Sequence, residues 1–143
     1  MNDQTPKDAE TFDQRYLRML EQKQKRDQER KRKHQERELA RDELVARFEE
    51  ELGPEGSSFG VYDTGHVDDP LIVVKRPARV QWTKFSQSKQ TVADRYDLIA
   101  PSLVHPSIDE WNALLEKRAA VDLGVSNLLS DLMGLKQEAD QGK

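Results

Sequence analysis

The sequence predicts a mostly α-helical α+β protein, in which a long charged N-terminal helix precedes a β-hairpin packed on about four short helices. Two counts over the 143 residues lead to this prediction. Large apolar and aromatic residues number 11 in residues 1–52 and 29 in residues 53–143, so the core is expected in the second part. The first part carries 13 basic and 14 acidic residues, which suits a solvated helix. We therefore predict a helical arm at 1–53 and a small domain at 54–143.

The composition excludes several classes of protein. The chain has no cysteine, so a disulfide framework, a thiolate nucleophile and a cysteine-based zinc site are excluded, and a reducing cytoplasm is the expected location. No secretory signal and no run of about 18 apolar residues occurs, so we expect no membrane association. The patterns HExxH, GxSxG, the P-loop and the dinucleotide glycine fingerprint are absent. We expect no enzymatic activity, no catalytic residue, no cofactor and no metal site.

The first part is predicted to be one helix, at about residues 6–52. The run Thr-Pro-Lys-Asp at residues 5–8 favours a helix start, because threonine caps free N–H groups and proline fits the first turn. The Gly-Pro pair at 53–54 favours a helix end. Residues 21–38 contain no apolar side chain, so a disordered tail and a self-associating coiled coil are the alternatives for this part.

A short apolar stripe, here called the N-terminal patch, lies near the start of this helix. Its members, Phe12, Tyr16, Met19 and Leu20, recur at spacings that place them on one helical face. Apolar residues resume only at Leu39, which is about 28 Å from Leu20 at about 1.5 Å per residue. We therefore expect the patch to stand clear of the second part and to contact a partner protein.

A basic cluster follows the patch. Eight basic residues between 23 and 37 face three acidic ones, an excess of five. The charges are expected to circle the helix, with no aromatic residue among them for base stacking, so a solvated helix is the preferred interpretation. Nucleic-acid binding is the alternative, because lysine and arginine neutralise phosphates. The residues assigned to that alternative are Arg30, Lys31, Arg32 and Lys33.

The second part begins with a predicted β-hairpin. Residues 59–62 and 71–74 are rich in β-forming side chains, and residues 63–70 between them have turn composition. An isolated hairpin is marginally stable in water, so we expect it to pack on the helices that follow.

The hairpin loop contains the best candidate for metal chemistry. Asp63, His66, Asp68 and Asp69 lie close together, and a hard cation prefers such oxygen ligands. Their spacing matches no EF-hand or zinc pattern, and turn geometry by itself favours aspartate and glycine. A solvated loop is therefore the preferred interpretation.

Two helices are predicted next in the chain. Pro77 is expected to start the first, which carries apolar residues between 80 and 85. The second is expected at 92–100, with Pro101 as its stop.

Two further helices complete the predicted domain. Ser107 and Glu110 have the spacing of a capping box, which predicts a helix start. The last helix runs from Val121 to about 133, and Gly134 can cap it. The side chains expected to form core or docking surface in these helices are Trp82, Phe85, Trp111 and Leu115.

An ordered set of motifs runs through about residues 58–135. It comprises an apolar strand ending in Arg-Pro at 71–77, then Trp82 and Phe85, Leu-Val-His-Pro-Ser at 103–107, Asp-Glu-Trp at 109–111, Leu114-Leu115, and a small helix closing at Gly134. This order resembles that of tail-assembly-chaperone-like proteins of tailed bacteriophages. The long charged first part departs from the short N-terminus usual in that family.

The resemblance implies a non-enzymatic assembly factor that binds other phage proteins, a tape-measure or tail-tube protein above all, in the host cytoplasm during assembly. An oligomer would be compatible with this role. The long first part leaves a structural component of the virion as an alternative. The partner-binding residues under this interpretation are Trp82, Phe85, Trp111 and Leu115, with Phe12, Tyr16, Met19 and Leu20 as a separate patch.

Overall fold

A computed structural model of the protein describes residues 11–134, which form five helices and three strands. The predicted α+β class, with its long first helix, is confirmed. Contacts divide the chain into two units, Met1–Leu39 and Ala40–Lys143. In chain order the elements are α1 (Phe12–Leu52), β1 (Phe59–Tyr62), β2 (Ile72–Lys75), α2 (Arg79–Ser86), α3 (Val92–Ser102), β3 (Leu103–His105), α4 (Ile108–Lys117) and α5 (Val121–Leu132).

Helix α1 is continuous through its polar middle and is capped at both described ends. The Thr11 hydroxyl accepts from the Gln14 N–H at 3.2 Å, and the Gln14 side-chain oxygen accepts from the Thr11 N–H at 3.1 Å. This reciprocal pair satisfies N–H groups that a helix start leaves free. At the other end Gly53 adopts a φ of +108° and donates to the Glu49 carbonyl, as predicted. The start predicted at residues 5–8 lies outside the described residues.

The three strands form one antiparallel sheet in the order β1-β2-β3. Strands β1 and β2 pair from Phe59 opposite Lys75 to Tyr62 opposite Ile72, which confirms the predicted hairpin. Strand β3, which pairs Leu103 with Val74, was not predicted. Three residues are too few to show an alternating pattern, so only the pairing with β2 makes this segment a strand.

The central strand β2 is covered on both faces. Ile72 and Val74 belong to the main core, together with buried residues of α3, α4 and α5 such as Trp111. Val73 points the other way because side chains alternate along a strand, and it packs with Phe59 and Phe48. Helix α1 supplies Phe48 to this second cluster, so the C-terminal part of that helix covers the far face of the sheet. A strand buried on both faces explains the unbroken apolar run at 71–74.

The two helices after the sheet differ from prediction in their boundaries. Helix α2 begins at Arg79, after Ala78 in extended conformation, and Pro77 precedes it without starting it. Helix α3 runs through Pro101 to Ser102 and does not stop at residue 100. Ser102 is buried and Leu103 joins the sheet, so tertiary packing extends the helix past its proline.

Helix α5 crosses strand β1 at two glycines. A Cβ atom at Gly60 would lie 2.7 Å from a Leu128 methyl carbon, and one at Gly124 would collide with the Tyr62 ring. The missing side chains therefore permit the close approach of helix and strand. A glycine inside α5, which weakens a helix by itself, is explained by this contact.

Candidate protein-interaction surface

The N-terminal patch lies on the first turns of α1, and most of its apolar surface is exposed. Phe12 is 79% exposed, Met19 51% and Tyr16 49%, whereas Leu20 is partly buried. The Phe12 and Tyr16 rings stack with centroids 6.3 Å apart and planes 10° from parallel. The helical spacing of residues 12 and 16 brings the rings together, because side chains four residues apart are neighbours on a helix.

The patch has a polar and cationic border. Arg15, Arg18 and Gln22 line a shallow recess together with Phe12, Tyr16 and Met19. Such a border is typical of an interaction site, where an apolar centre is surrounded by side chains that remain hydrated.

Sequence analysis missed Leu17, which is 59% exposed and lies next to the patch. Its signal was present in the sequence, because Leu17 precedes Leu20 by three residues and therefore shares a face with it. Leu17 widens the apolar surface on the first turns of α1.

The energy available from this surface is substantial. Complete burial of one large apolar side chain is worth about 1.5–3 kcal/mol. Because Phe12, Leu17 and Met19 are 79%, 59% and 51% exposed, their burial against a partner could together contribute about 3–6 kcal/mol. This gain must exceed the entropy cost of association, about 4 kcal/mol at the least, so a partner must contact more than these three side chains.

Two of the four predicted docking residues in the second unit are core residues. Trp111 is 0% exposed and Phe85 7% exposed, both within the main cluster. Their assignment as partner-binding residues is therefore wrong, because the α-helices and the sheet already cover them. Trp82 and Leu115 are partly buried against the same cluster, and the Trp82 and Phe85 rings lie 5.7 Å apart.

A groove of about 280 Å³ lies beside Phe85, between α2 and α3. Val80, which is 80% exposed, forms part of its wall with Leu98. Lys84 and Asp97 also line it, so the groove carries charges of both signs. Its volume is about half that of the recess at the N-terminal patch, which is about 570 Å³.

The hairpin loop is built around an internal ion pair. Asp63 accepts from the Gly65 N–H at 2.8 Å, as an aspartate in a turn commonly does. The Asp69 side chain is 1% exposed and accepts from Thr64 at 2.8 Å, from Lys117 at 3.3 Å and from Arg118. These ion pairs therefore connect the hairpin loop to the C-terminal end of α4.

The environment of Asp69 lowers its pKa. Burial alone raises the pKa of this carboxyl, because a charged group loses hydration. Hydrogen bonds from Arg118, Thr64 and Lys117, with the Arg118 charge, outweigh burial and lower the pKa from 3.8 to about 2. The carboxylate faces cations of the protein itself, and in residues 11–134 no cluster of three or more acidic or histidine side chains is arranged to hold a metal ion.

The four basic residues assigned to nucleic-acid binding do not share a face. Arg30, Lys31, Arg32 and Lys33 are consecutive in α1, so at about 100° per residue they point in different directions. All four are exposed. Arg32 approaches Glu36 and Lys33 approaches Glu29, each at 3.9 Å, as expected for acidic and basic residues four apart. Arg30 and Lys33 share one face, whereas Lys31 and Arg32 point away from it.

Comparison with protein-family models, with curated proteins and with solved structures gives no match to this chain. Between residues 11 and 134, none of the helices combines the length and the apolar character needed to cross a lipid bilayer.

Proposed function

We propose that the protein is a non-enzymatic interaction protein of bacteriophage tail assembly, which binds another polypeptide through the N-terminal patch. The exposure of Phe12, Tyr16 and Met19 on an ordered helix carries this proposal. Monomeric proteins seldom leave aromatic and apolar side chains exposed together, and such patches usually mark a contact with another protein.

The partner is proposed to be a tape-measure protein or a tail-tube protein. This part of the proposal is supported by the resemblance of residues 58–135 to tail-assembly-chaperone-like proteins. A chaperone for long apolar helices needs apolar surface that is bordered by charge, and the patch with Arg15 and Arg18 has that composition.

The test is co-purification of the tagged full chain from phage-infected cells, followed by mass spectrometry of the bound proteins. The patch variant carries Phe12→Ser, Met19→Ser and Leu20→Ser. We expect the wild-type chain to retain a tail protein and the patch variant to lose it at least about tenfold, because a loss of about 1.4 kcal/mol suffices for that factor.

The matched control carries Leu39→Ser, Val80→Ser and Val92→Ser, three exposed apolar residues outside the patch. This control should retain the partner at the wild-type level. Equal recovery of the tail protein by the patch variant and the wild type would refute the role of the patch. Stoichiometric presence of the protein in purified virions would instead support a structural role in the particle.

A further inference from the structure

The basic residues of helix α1 between residues 23 and 37 fall into two groups, one on a single face of the helix and one on its other faces. Five of them follow one another at spacings of 3, 4, 3 and 4 residues, which places them on one face. At about 100° per residue, all five lie within about 40° of a common direction. We call this set the basic stripe, and its members are Lys23, Arg26, Arg30, Lys33 and Arg37.

The acidic residues of the same segment lie off the stripe. Glu21, Asp27, Glu29, Glu36 and Glu38 are each about 80° or more from its centre. The remaining basic residues, Lys25, Lys31 and Arg32, are about 120° or more away and alternate with these acids. The charges therefore circle the helix, but, contrary to expectation, five of the eight basic residues form one stripe, and Glu29 at its edge approaches Lys33 at 3.9 Å.

The stripe is accessible and has the length of an extended contact. Lys23, Arg26, Arg30 and Lys33 are exposed, and Arg37 is partly buried. From residue 23 to residue 37 the helix rises about 21 Å at about 1.5 Å per residue. Five cations over that distance on one side of a helix form a strong, one-sided positive field.

The positive charge of the basic stripe favours one class of ligand over the others. A second copy pairing stripe to stripe would place like charges opposite one another, which is unfavourable. An acidic protein helix would form exposed ion pairs with the stripe, which are worth at most about 1 kcal/mol each. Phosphates of a nucleic-acid backbone also release condensed counterions when cations neutralise them, and this favours nucleic acid as the ligand.

We propose that the basic stripe of α1 binds the phosphate backbone of double-stranded DNA without sequence preference. Duplex DNA carries one negative charge per about 1.7 Å of its axis, so a stripe about 21 Å long can run beside several phosphates. No aromatic side chain is interleaved between residues 23 and 37, so the contact uses charge and not base stacking. This inference does not depend on the proposed function, because it concerns a different segment of α1.

The experiment measures fluorescence anisotropy of a labelled 20-base-pair duplex of arbitrary sequence, titrated with the full chain between 50 and 200 mM NaCl. Arg37 is partly buried and already has a contact within the protein, so up to four phosphate contacts are expected, and the slope of log K against log salt should be about −3 to −4. The stripe variant carries Lys23→Gln, Arg26→Gln and Arg30→Gln. It should reduce the magnitude of the slope by about 3 and weaken binding at the lowest salt more than about 30-fold.

The matched control carries Lys25→Gln, Lys31→Gln and Arg32→Gln, which removes the same charge from the same segment. It should weaken binding less than about threefold, because these residues face away from the stripe. Glutamine forms helices well, and far-UV circular dichroism verifies that both variants keep α1.

Three results would overturn the proposal. The first is absence of saturable binding at 50 mM salt by the wild-type chain. The second is equal loss in the two triple variants, which would show an effect of net charge and not of the stripe. The third is binding of poly-glutamate as tightly as the duplex, which would indicate an acidic protein segment as the ligand. Loss of the tail-protein contact in the patch variant leaves this result unaffected.

Discussion

The two parts of helix α1 have the same backbone conformation and very different surroundings. Between Ala40 and Leu52 the helix buries Phe48 at 3% exposure against Phe59 and Val73. Between Phe12 and Leu39 its side chains are almost all exposed. Residues 12–39 must therefore be helical for local reasons. Residues 40–52 are helical mainly because burial of one face favours the helix.

The local reasons are capping, helix propensity and ion pairs of residues four apart. Glutamate, glutamine, lysine and arginine dominate residues 21–38, and all are good helix formers. Each ion pair, such as Lys33 with Glu29, adds only about 0.2–0.5 kcal/mol. Many small terms support this stretch, so no single substitution in it should be severe, whereas single substitutions in the second unit should be.

The largest contrast is expected from the same substitution at two phenylalanines of α1. Phe48→Ala should lower the free energy of unfolding by about 3–4 kcal/mol, because it opens a cavity in the second cluster. Phe12→Ala should change it by less than about 0.5 kcal/mol, because Phe12 is exposed. Urea unfolding followed by tryptophan fluorescence measures both, since Trp111 is buried in the second unit. Similar losses in the two variants would contradict the distinction between the two stretches.

Ion pairs provide the next contrast. The Arg95–Asp122 pair joins α3 to α5 at 2.8 Å, with side chains 15% and 5% exposed. Asp122→Asn should lower the free energy of unfolding by about 3 kcal/mol, because it leaves the Arg95 charge without its carboxylate in a buried place. In α1, Glu36→Gln should cost less than about 0.5 kcal/mol, because Arg32 and Glu36 are both 65% exposed. Equal shifts of the urea midpoint in the Asp122 and Glu36 variants would show that burial does not decide the strength of these ion pairs.

The pH dependence of stability should report on Asp69. Its pKa is lowered to about 2 in the folded protein, so the folded state binds a proton at lower pH than the unfolded state. The stabilisation is fully present above about pH 5 and should be lost as the pH falls from about 4 to about 2. Asp69→Asn should remove this part of the pH dependence, as measured by urea unfolding between pH 2 and pH 6. An unchanged pH profile in the variant would show that other carboxyls dominate.

The smallest contrast concerns two capping threonines. Thr91 caps α3 through a reciprocal pair with Asp94, so Thr91→Ala should lower the free energy of unfolding by about 1 kcal/mol. Thr11→Ala should leave the unfolding monitored by tryptophan unchanged and only speed amide hydrogen exchange in the first turn of α1. A lower urea midpoint in the Thr11 variant would show that the first stretch of α1 is energetically coupled to the second unit.

Much of the fold could be predicted because its signals are local. The Gly53 helix end and the Ser107 cap each depend on residues within a few positions of one another, and the hairpin joins two strands that are neighbours in the chain. The N-terminal patch was visible for the same reason, because helical spacing alone places Phe12, Tyr16 and Met19 on one face. The expected mode of binding at that patch stays a prediction.

Contacts between residues that are distant in the chain could not be predicted. Strand β3 exists through its pairing with β2, and Asp69 acquires its partners Lys117 and Arg118 from 48 and 49 residues along the chain. The sequence also could not distinguish core from docking surface at Phe85 and Trp111, because both roles require a large apolar side chain.

The sequence by itself determined the class of fold, the ends of most helices and the location of the apolar surface near the start of α1. Only the tertiary structure decided which aromatic residues are enclosed, which carboxylates are paired inside the protein and how far α3 continues past its proline. The physical reason is that propensity, capping and periodicity act over one or two helical turns. Burial and charge pairing depend on the distances between elements that only the folded chain brings together.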